Sequence, residues 1–503
     1  MSKHSIAVPL TTVSLDHASP VPLYRQLYDW LRVAILTGRL RPGARLQSTR
    51  ELAEELNVSR NTVMNAFEQL LAEGYLEGQV GSGTYVSRAL PDDMLNVPAS
   101  RSRATAPSRK GLALSERGAA LASAAVNASQ GSLAVRAFRP GTPALDAFPS
   151  ELWSRLLARR WRNAPRELLG YSNSAGYQPL REAIASYLGA ARAVRCEADQ
   201  VIVVAGAQQA LDLVARLLLG PGDAAWIEDP GYLGTRAAFI GAGARLVPVP
   251  VDREGLEVTV GAARAPKARL AYVSPSHQYP LGVTMSLARR LALLEWASRA
   301  SAWIIEDDYD SEYRYAGRPL AALQGLDKEG RVIYLGTFSK VLFPSLRIGY
   351  IVVPPDLVDA FSAARGVLSR FTPSMDQAVL ADFINEGHFA RHIRRMRTLY
   401  AERQAVLVET ARRELDGLLE VNPSEAGIHL VGWLAGGADD RKASEAAAGE
   451  NVEAQALSAF RIKHRTRGGL LLGYAGYDER QIRVGVRRLA TALRGMSRAG
   501  KSA

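Results

Sequence analysis

Apolar residues in PLYRQLYDWLRVAILTG recur at helical spacing and stop at Gly38, which predicts a first helix. Ser48 stands three residues before Glu51, the spacing of a capping box, and opens a short second helix around LAEEL. A turn at Asn57-Val58 follows, and Ser59 is placed to cap a third helix. On that helix Val63, Ala66, Phe67 and Leu70 fall at i, i+3, i+4 and i+7 and form one apolar face. YLEGQVGSGTYV then reads as a hairpin, or wing, with Gly81, Ser82 and Gly83 at its tight turn.

The pattern changes twice further on. Residues 88–135 are rich in Ala, Ser, Arg and Pro with no sustained period, so they read as a linker with some helix near its end. From residue 136 strand-like and helix-like runs alternate: QVIVVAG then QQALDLVARLLLG, AAWIEDP then GYLGTRAAFIGAG, AWIIEDDYD and RVIYLGTFS. That alternation predicts an α/β domain over 136–503 with a mainly parallel sheet, whose ligands bind at the carboxyl ends of its strands. Its last hundred or so residues, from HIRRMRTLYAERQAVL onward, predict a smaller α+β subdomain. Residues 1–87 make the first domain, and no internal repeat is visible.

Composition narrows the class. A chain of 503 residues is too long for one core. Apolar residues at 47% and charged residues at 22% are an ordinary globular balance. No apolar run reaches the ~18 to 20 residues of a membrane span, and the N-terminus lacks the pattern of a signal peptide. The single cysteine, Cys196, excludes an intrachain disulfide and suits a reducing cytosol, so a cytoplasmic protein is expected. The seven histidines are scattered without an HExxH or Cys/His cluster, and no metal is expected.

Net charge is +12, but residues 1–87 hold eight basic and eight acidic residues and are neutral. Placement matters more, since six of those eight basic residues fall between Arg32 and Arg60. Arg60, Asn61 and Thr62 lie at the N-terminal end of the third helix, where short polar and basic side chains can reach base edges and phosphates in a major groove. Ser48, Arg50, Ser59 and the wing residues Gly81, Ser82 and Gly83 complete the expected surface for double-stranded DNA. A protein-binding winged helix with a solvated Arg60 has the same helix spacing. The wording discriminates between them: PLYRQLYDWLRVAILTGRLRPGARL and STRELAEELNVSRNTVMNAFEQLLAEGYLEGQVGSGTYV resemble the winged helix-turn-helix of the GntR family of bacterial regulators, almost continuously over residues 20–87. Gln47 departs from that family's usual proline.

The second candidate chemistry is a pyridoxal phosphate site. It needs a lysine for the Schiff base, an acid for the ring nitrogen, donors for the phosphate and a wall to stack on. Asp307, at the end of a buried-looking strand, suits the ring nitrogen, and Tyr309, on the same side of an extended chain, suits the ring hydroxyl. Lys340 is the Schiff-base candidate, flanked by the hydroxyls of Thr337 and Ser339 and the guanidinium of Arg347. Gly206, Ala207 and Gln208 sit where a strand turns into a helix, whose free N–H groups can receive a phosphate. Ser-x-Lys pairs also serve hydrolases, but no Gly-x-Ser-x-Gly elbow supports that use here.

The ordered series GAQQALDL, EDPGY, SPSHQYPLG, EDDYDSEYRY, TFSK and SLRIGY resembles aminotransferases of the aspartate aminotransferase fold. With the GntR-like head, the chain resembles the MocR/GabR subfamily of regulators. The resemblance implies an aldimine at Lys340, with Asp307 on the ring nitrogen, Tyr309 on the ring hydroxyl and Tyr232 stacked on the ring face. It also implies Thr337, Ser339 and Arg347 on the phosphate, and Tyr171 reaching the phosphate of a partner subunit. His277 and Gln278 occupy the loop where aminotransferases place an asparagine near the ring, and Leu281 departs from the usual Thr or Ser.

Three readings follow: a transcription factor whose aminotransferase-like domain senses an amino compound, a working aminotransferase with an accessory head, or a regulator that responds to pyridoxal phosphate itself. An efficient aminotransferase carries an arginine clamp for the substrate carboxylate. Arg461, Arg465 and Arg467 are available near the C-terminus and Arg236 lies one helical turn beyond Tyr232, yet none stands in a clear clamp motif. Sensing is therefore expected over efficient turnover, with a half-reaction still open. The resemblance further implies a domain-swapped homodimer, each head packed on its partner's large domain, and hence two DNA half-sites.

Overall fold

The computed structural model describes residues 13–79, 83–89, 114–125, 136–315, 320–464 and 467–499. The chain divides into two compact units, Met1–Leu112 and Ala113–Ala503.

In the first unit, helices α1 (Leu23–Leu36), α2 (Thr49–Glu55) and α3 (Arg60–Ala72) precede an antiparallel hairpin of β1 (Leu76–Gln79) and β2 (Gly83–Val86). The capping box forms in both directions: Ser48 Oγ accepts from Glu51 N at 3.2 Å, and Glu51 Oε2 accepts from Ser48 N at 3.0 Å. Ser59 Oγ accepts from Thr62 N at 3.1 Å, so the start of α3 is closed by its own side chain. Gln47 donates to Glu55 across α2 at 2.7 Å, a tie that a proline could not make. Val63, Ala66, Phe67 and Leu70 are buried with Leu27, Leu31, Leu52, Leu76 and Val86 in one core.

The second unit is built on an eight-stranded sheet. Its strands are β3 (Val201–Val204), β4 (Ala224–Asp229), β5 (Arg245–Asp252), β6 (Gly255–Leu256), β7 (Leu270–Val273), β8 (Trp303–Asp308), β9 (Val332–Thr337) and β10 (Gly349–Val352). The spatial order is β3-β10-β9-β8-β7-β4-β5-β6. Strands β9, β8, β7, β4 and β5 run parallel, and β10 is antiparallel to both its neighbours. Alternate residues serve opposite faces: on β9, Ile333 and Leu335 enter one apolar cluster while Tyr334 enters another. Covered on both sides, these strands are apolar throughout rather than alternating.

Within the segment expected as a linker, α4 (Glu116–Ala125) forms a helix. The loop between β3 and β4 carries α5 (Ala207–Leu218), and α6 (Leu233–Ala242) follows β4. A four-stranded antiparallel sheet of β11 (Leu419–Val421), β12 (His429–Leu434), β13 (Gln455–Ala456) and β14 (Gly469–Gly473) packs with the long helices α7 (His388–Glu414) and α8 (Glu479–Ala499) to make the smaller C-terminal part. Among the described residues no helix is long and apolar enough to cross a membrane.

Candidate functional site

The carboxyl ends of β3, β7, β8 and β9 meet at a cavity of about 240 Å³. One end of it is built for an anion. Gly206 precedes α5 with φ +108°, a left-handed-side conformation that glycine adopts without strain. It leaves the first N–H groups of α5 facing the cavity without a side-chain cap. A Cβ at Gly206 would stand 3.5 Å from Arg347 Nη1, so the guanidinium lies over the same helix start. Ser339 adds a buried hydroxyl with no hydrogen-bond partner.

Lys340 follows β9, and its Nζ donates to the carbonyl of Gly141 at 2.9 Å. Burial holds this amine below its ordinary pKa, against the pull of Asp310 and Asp307 in the opposite sense. Asp307 is the penultimate residue of β8, one strand away. Its Oδ2 accepts from the Tyr272 hydroxyl at 2.6 Å, and its Oδ1 is buried with no partner. Desolvation pushes this carboxyl up to about 7. An orphaned carboxylate oxygen beside a cavity is what a protonated ring nitrogen would satisfy. Tyr309 lies 3.0 Å from His277 Nδ1, which is also 3.0 Å from Asp310.

Ten of the thirteen residues expected at the cofactor line this cavity: Gly206, Ala207, Gln208, Tyr232, Asp307, Tyr309, Thr337, Ser339, Lys340 and Arg347. The other three stand elsewhere. His277 lies behind Tyr309 as its hydrogen-bond partner. Gln278 is a structural brace, donating to Glu228 at 3.1 Å and to the Pro230 carbonyl at 2.9 Å, and accepting from Leu281 N at 3.0 Å. Tyr279, the next residue of that loop, lines the cavity. Tyr171 is 86% exposed, with Arg370 over its ring at 5.8 Å.

Of the expected carboxylate ligands, the described ones, Arg236, Arg461 and Arg467, do not line the cavity either. Arg236 is half-buried on α6. Arg467 pairs with Glu420 at 2.9 Å. Arg461 begins a segment whose next three N–H groups, of Ile462, Lys463 and His464, all donate to the Asp229 carboxylate at 2.8–2.9 Å. Arg465, Gly81 and Ser82 lie outside the described residues. On the head, Ser48, Arg50, Ser59, Arg60, Asn61 and Gly83 are exposed, and Thr62 is half-buried.

Sequence reasoning missed Pro140, Gly141, Tyr272, Tyr279, Pro344 and His429, all in the cavity wall. Tyr279 stood inside a quoted motif, one place beyond the residues selected. His429 and Gly141 come from segments with no local signal. The scattered histidines also converge: His277, Asp310 and His429 bring ligand atoms within 4.8 Å of one another, although His277 Nδ1 already serves Asp310 and Tyr309.

These residues fit pyridoxal 5'-phosphate. The α5 start, Ser339 and Arg347 suit its phosphate, Asp307 Oδ1 its ring nitrogen, Lys340 its aldehyde carbon and Tyr232 a ring face.

Comparison with known proteins agrees with both units. Residues 144–489 match aminotransferase class I and II, and residues 23–86 match the bacterial regulatory proteins of the gntR family. The chain is 47% identical over 487 residues to the probable rhizopine catabolism regulatory protein MocR of Rhizobium meliloti, covering 97% of each chain. It is 31% identical to the HTH-type pyridoxine biosynthesis transcriptional regulator PdxR of Corynebacterium glutamicum, over 94% of this chain and 96% of that one. Among solved structures, the α-aminoadipate aminotransferase LysN of Thermus thermophilus superposes with a TM-score of 0.68 at 30% identity, over 74% of this chain and 98% of that one.

Proposed function

The chain belongs to the MocR-type regulators of the GntR family, which carry an aminotransferase class I and II domain, and on that premise we propose that it controls transcription by reading an amino compound through pyridoxal phosphate. The observation that carries this reading is the presence, in one chain, of a cavity lined by ten of the residues expected at the cofactor and an exposed, Ser59-capped recognition-helix start.

When bound, the cofactor supplies an aldehyde carbon that amines attack and a ring that withdraws electrons. The chain's own residues prepare both. Burial leaves the Lys340 amine more readily neutral, hence nucleophilic, and the Gly141 carbonyl orients it. Asp307 Oδ1, buried without a partner, would accept from a ring N–H and hold the proton there. Arg347, Ser339 and the α5 start fix the phosphate, and Tyr232 closes one face. An amine effector would need the place that Lys340 Nζ takes beside the Gly141 carbonyl, so its binding would displace this side chain. Differential affinity of the effector for two states of the large unit then sets the affinity for DNA.

The functional unit is a homodimer in the cytoplasm, in which each exposed Tyr171 reaches the phosphate of the partner's cofactor and the heads are exchanged between chains. Its two heads read two half-sites, inverted or directly repeated. Arg60 and Asn61 provide the groove contacts of each head, with Ser48, Arg50 and the wing on the phosphates.

The test combines two readouts on the purified holoprotein: cofactor absorbance during titration with amines, and anisotropy of labelled DNA from its own upstream region. The expected result is an amine that shifts both without accumulating a keto product, and a Lys340→Ala variant whose DNA affinity no longer responds to it. Steady keto-acid formation with unchanged DNA affinity would make the chain an aminotransferase with an accessory head.

A further inference from the structure

Behind the cavity wall three polar side chains meet at one ring nitrogen. Tyr309 follows β8 and lines the cavity, with Asp310 next to it in the chain. His277, from the loop after β7, stands behind them; it is 2% exposed and Asp310 is 1% exposed. His277 Nδ1 lies 3.0 Å from Asp310 Oδ2 and 3.0 Å from Tyr309 Oη. One nitrogen thus faces both a carboxylate and a hydroxyl.

The far edge of the ring decides where the proton sits. His277 Nε2 is buried and has no hydrogen-bond partner. Glycine backbone packs against that edge: a Cβ at Gly427 would overlap it, and one at Gly282 would stand 3.1 Å from Nε2. The His429 ring, 5.0 Å away between centres, offers it no bond. A proton on Nε2 alone would be a buried donor with nothing to receive it, whereas a proton on Nδ1 meets a carboxylate. Nδ1 therefore carries a proton. It cannot then accept from Tyr309, so the tyrosine oxygen accepts and its own O–H must find another partner. Burial, and then Asp310, hold this phenol well above its ordinary range, so the O–H persists. Among the described residues Tyr309 Oη has no other hydrogen-bond partner, and the occupant of the cavity is left to receive it.

We propose that His277 is a positioning residue for the cofactor: held by Asp310 with its proton on Nδ1, it engages Tyr309 Oη so that the tyrosine donates to the ring hydroxyl oxygen of pyridoxal phosphate. The opposite tautomer, with Nδ1 bare, would draw the same proton away from the cavity. This rests on the reading of Tyr309 as the residue that meets the ring hydroxyl.

The experiment titrates the holoprotein with pH and follows the absorbance of the bound cofactor, which changes as the nitrogen joining it to Lys340 releases a proton to solvent. Before release that proton is shared with the ring oxygen; afterwards the charged oxygen depends on Tyr309 as its donor. A donor at Tyr309 therefore favours the deprotonated form and lowers the midpoint. Loss of a hydrogen bond to a charged oxygen in Tyr309→Phe should raise the midpoint by about one to two pH units. His277→Leu leaves the tyrosine its proton but removes the N–H that polarises and holds it, and should raise the midpoint by about a quarter of that shift. His277→Asn, whose amide N–H falls near the place of Nδ1, should restore the wild-type value. His277→Gln, whose amide reaches towards the place of Nε2, should not, and it takes the place of the leucine variant if that one fails to fold. In a Tyr309→Phe background no change at His277 should move the midpoint further. Asp310, Asp307, Tyr272 and Tyr279, the other ionisable groups around Tyr309, stay unaltered throughout, because the charge of Asp310 also acts on Lys340 directly. A wild-type midpoint in His277→Leu beside a raised one in Tyr309→Phe overturns the inference alone. So does a shift in His277→Asn as large as in His277→Leu, or a His277 effect that persists without the Tyr309 hydroxyl. An unmoved midpoint in Tyr309→Phe overturns the reading of Tyr309, and this inference with it.

Discussion

Asp307→Asn exchanges a buried carboxyl for a side chain of the same shape that cannot ionise. Burial holds the Asp307 pKa at about 7 against an ordinary 3.8. At about 1.4 kcal/mol per pH unit, that difference amounts to about 4 kcal/mol. The sign follows from where the proton goes. Below pH ~4 the group is protonated in folded and unfolded chains alike and contributes nothing. Between pH ~4 and ~7 the unfolded chain ionises while the cofactor-free fold resists, so wild-type stability falls, and above pH ~7 the full cost is present. Asparagine bears none of it. Its oxygen can still accept from Tyr272, but its amide then takes the place of Oδ1, and leaving that unpaired costs about 1–3 kcal/mol. At pH 8 the cofactor-free variant should therefore be more stable than wild type by about 1–3 kcal/mol, and near pH 4 it should have no advantage. Cofactor affinity should move the other way. Losing a charge-assisted hydrogen bond of about 1.5–3 kcal/mol weakens binding roughly 10- to 150-fold. Urea unfolding of both cofactor-free proteins at pH 5 and pH 8, with absorbance titration of pyridoxal phosphate, measures the two effects. The reasoning is refuted if the variant is the less stable protein at pH 8, or if its cofactor affinity stays within two-fold of wild type.

Three further outcomes are expected. Gly427 has φ +94°, and a Cβ there would overlap the His277 ring, so Gly427→Ala should cost about 2–4 kcal/mol in urea unfolding and displace the partner of Tyr309. Ser59→Ala removes the cap of α3 and should lower the stability of the head by about 1 kcal/mol, seen as an earlier thermal transition of that unit. Arg60→Ala should weaken DNA binding by about 1–3 kcal/mol, with a salt dependence smaller by about one ion if Arg60 meets a phosphate and unchanged if it meets a base.

Local chemistry was legible in the chain because it is local in space. The capping box of Ser48 with Glu51, the cap at Ser59 and the burial of Val63, Ala66, Phe67 and Leu70 all follow from spacings of three to seven residues, which helix geometry converts directly into contacts. The alternation of strand-like and helix-like runs announced the mainly parallel sheet, because each crossover needs its helix. Lys340, Asp307 and Arg347 could be selected because strand ends and turns in such a sheet face one cleft. The loop at residues 277–279 marks the limit of this reasoning. The sequence reading selected His277 and Gln278 and passed over Tyr279, and only the fold turns Tyr279 to the cavity, His277 behind Tyr309 and Gln278 onto Glu228.

The sequence by itself determined the elements, their order and most of the residues that line the cavity at the strand ends. The tertiary structure alone decided which distant segments complete the wall. Gly141 meets Lys340 across 199 residues, and His429 reaches Pro280 across 149. No period or motif encodes such meetings. They depend on how the smaller sheet packs beside the larger one, and that arrangement is chosen by the burial of the whole core rather than by any short stretch. The orphaned atoms at Asp307 Oδ1 and His429 Nδ1 belong to the same class of fact. Whether a polar atom is left without a partner depends on every neighbour that folding brings within reach of it, and only the folded chain specifies those neighbours.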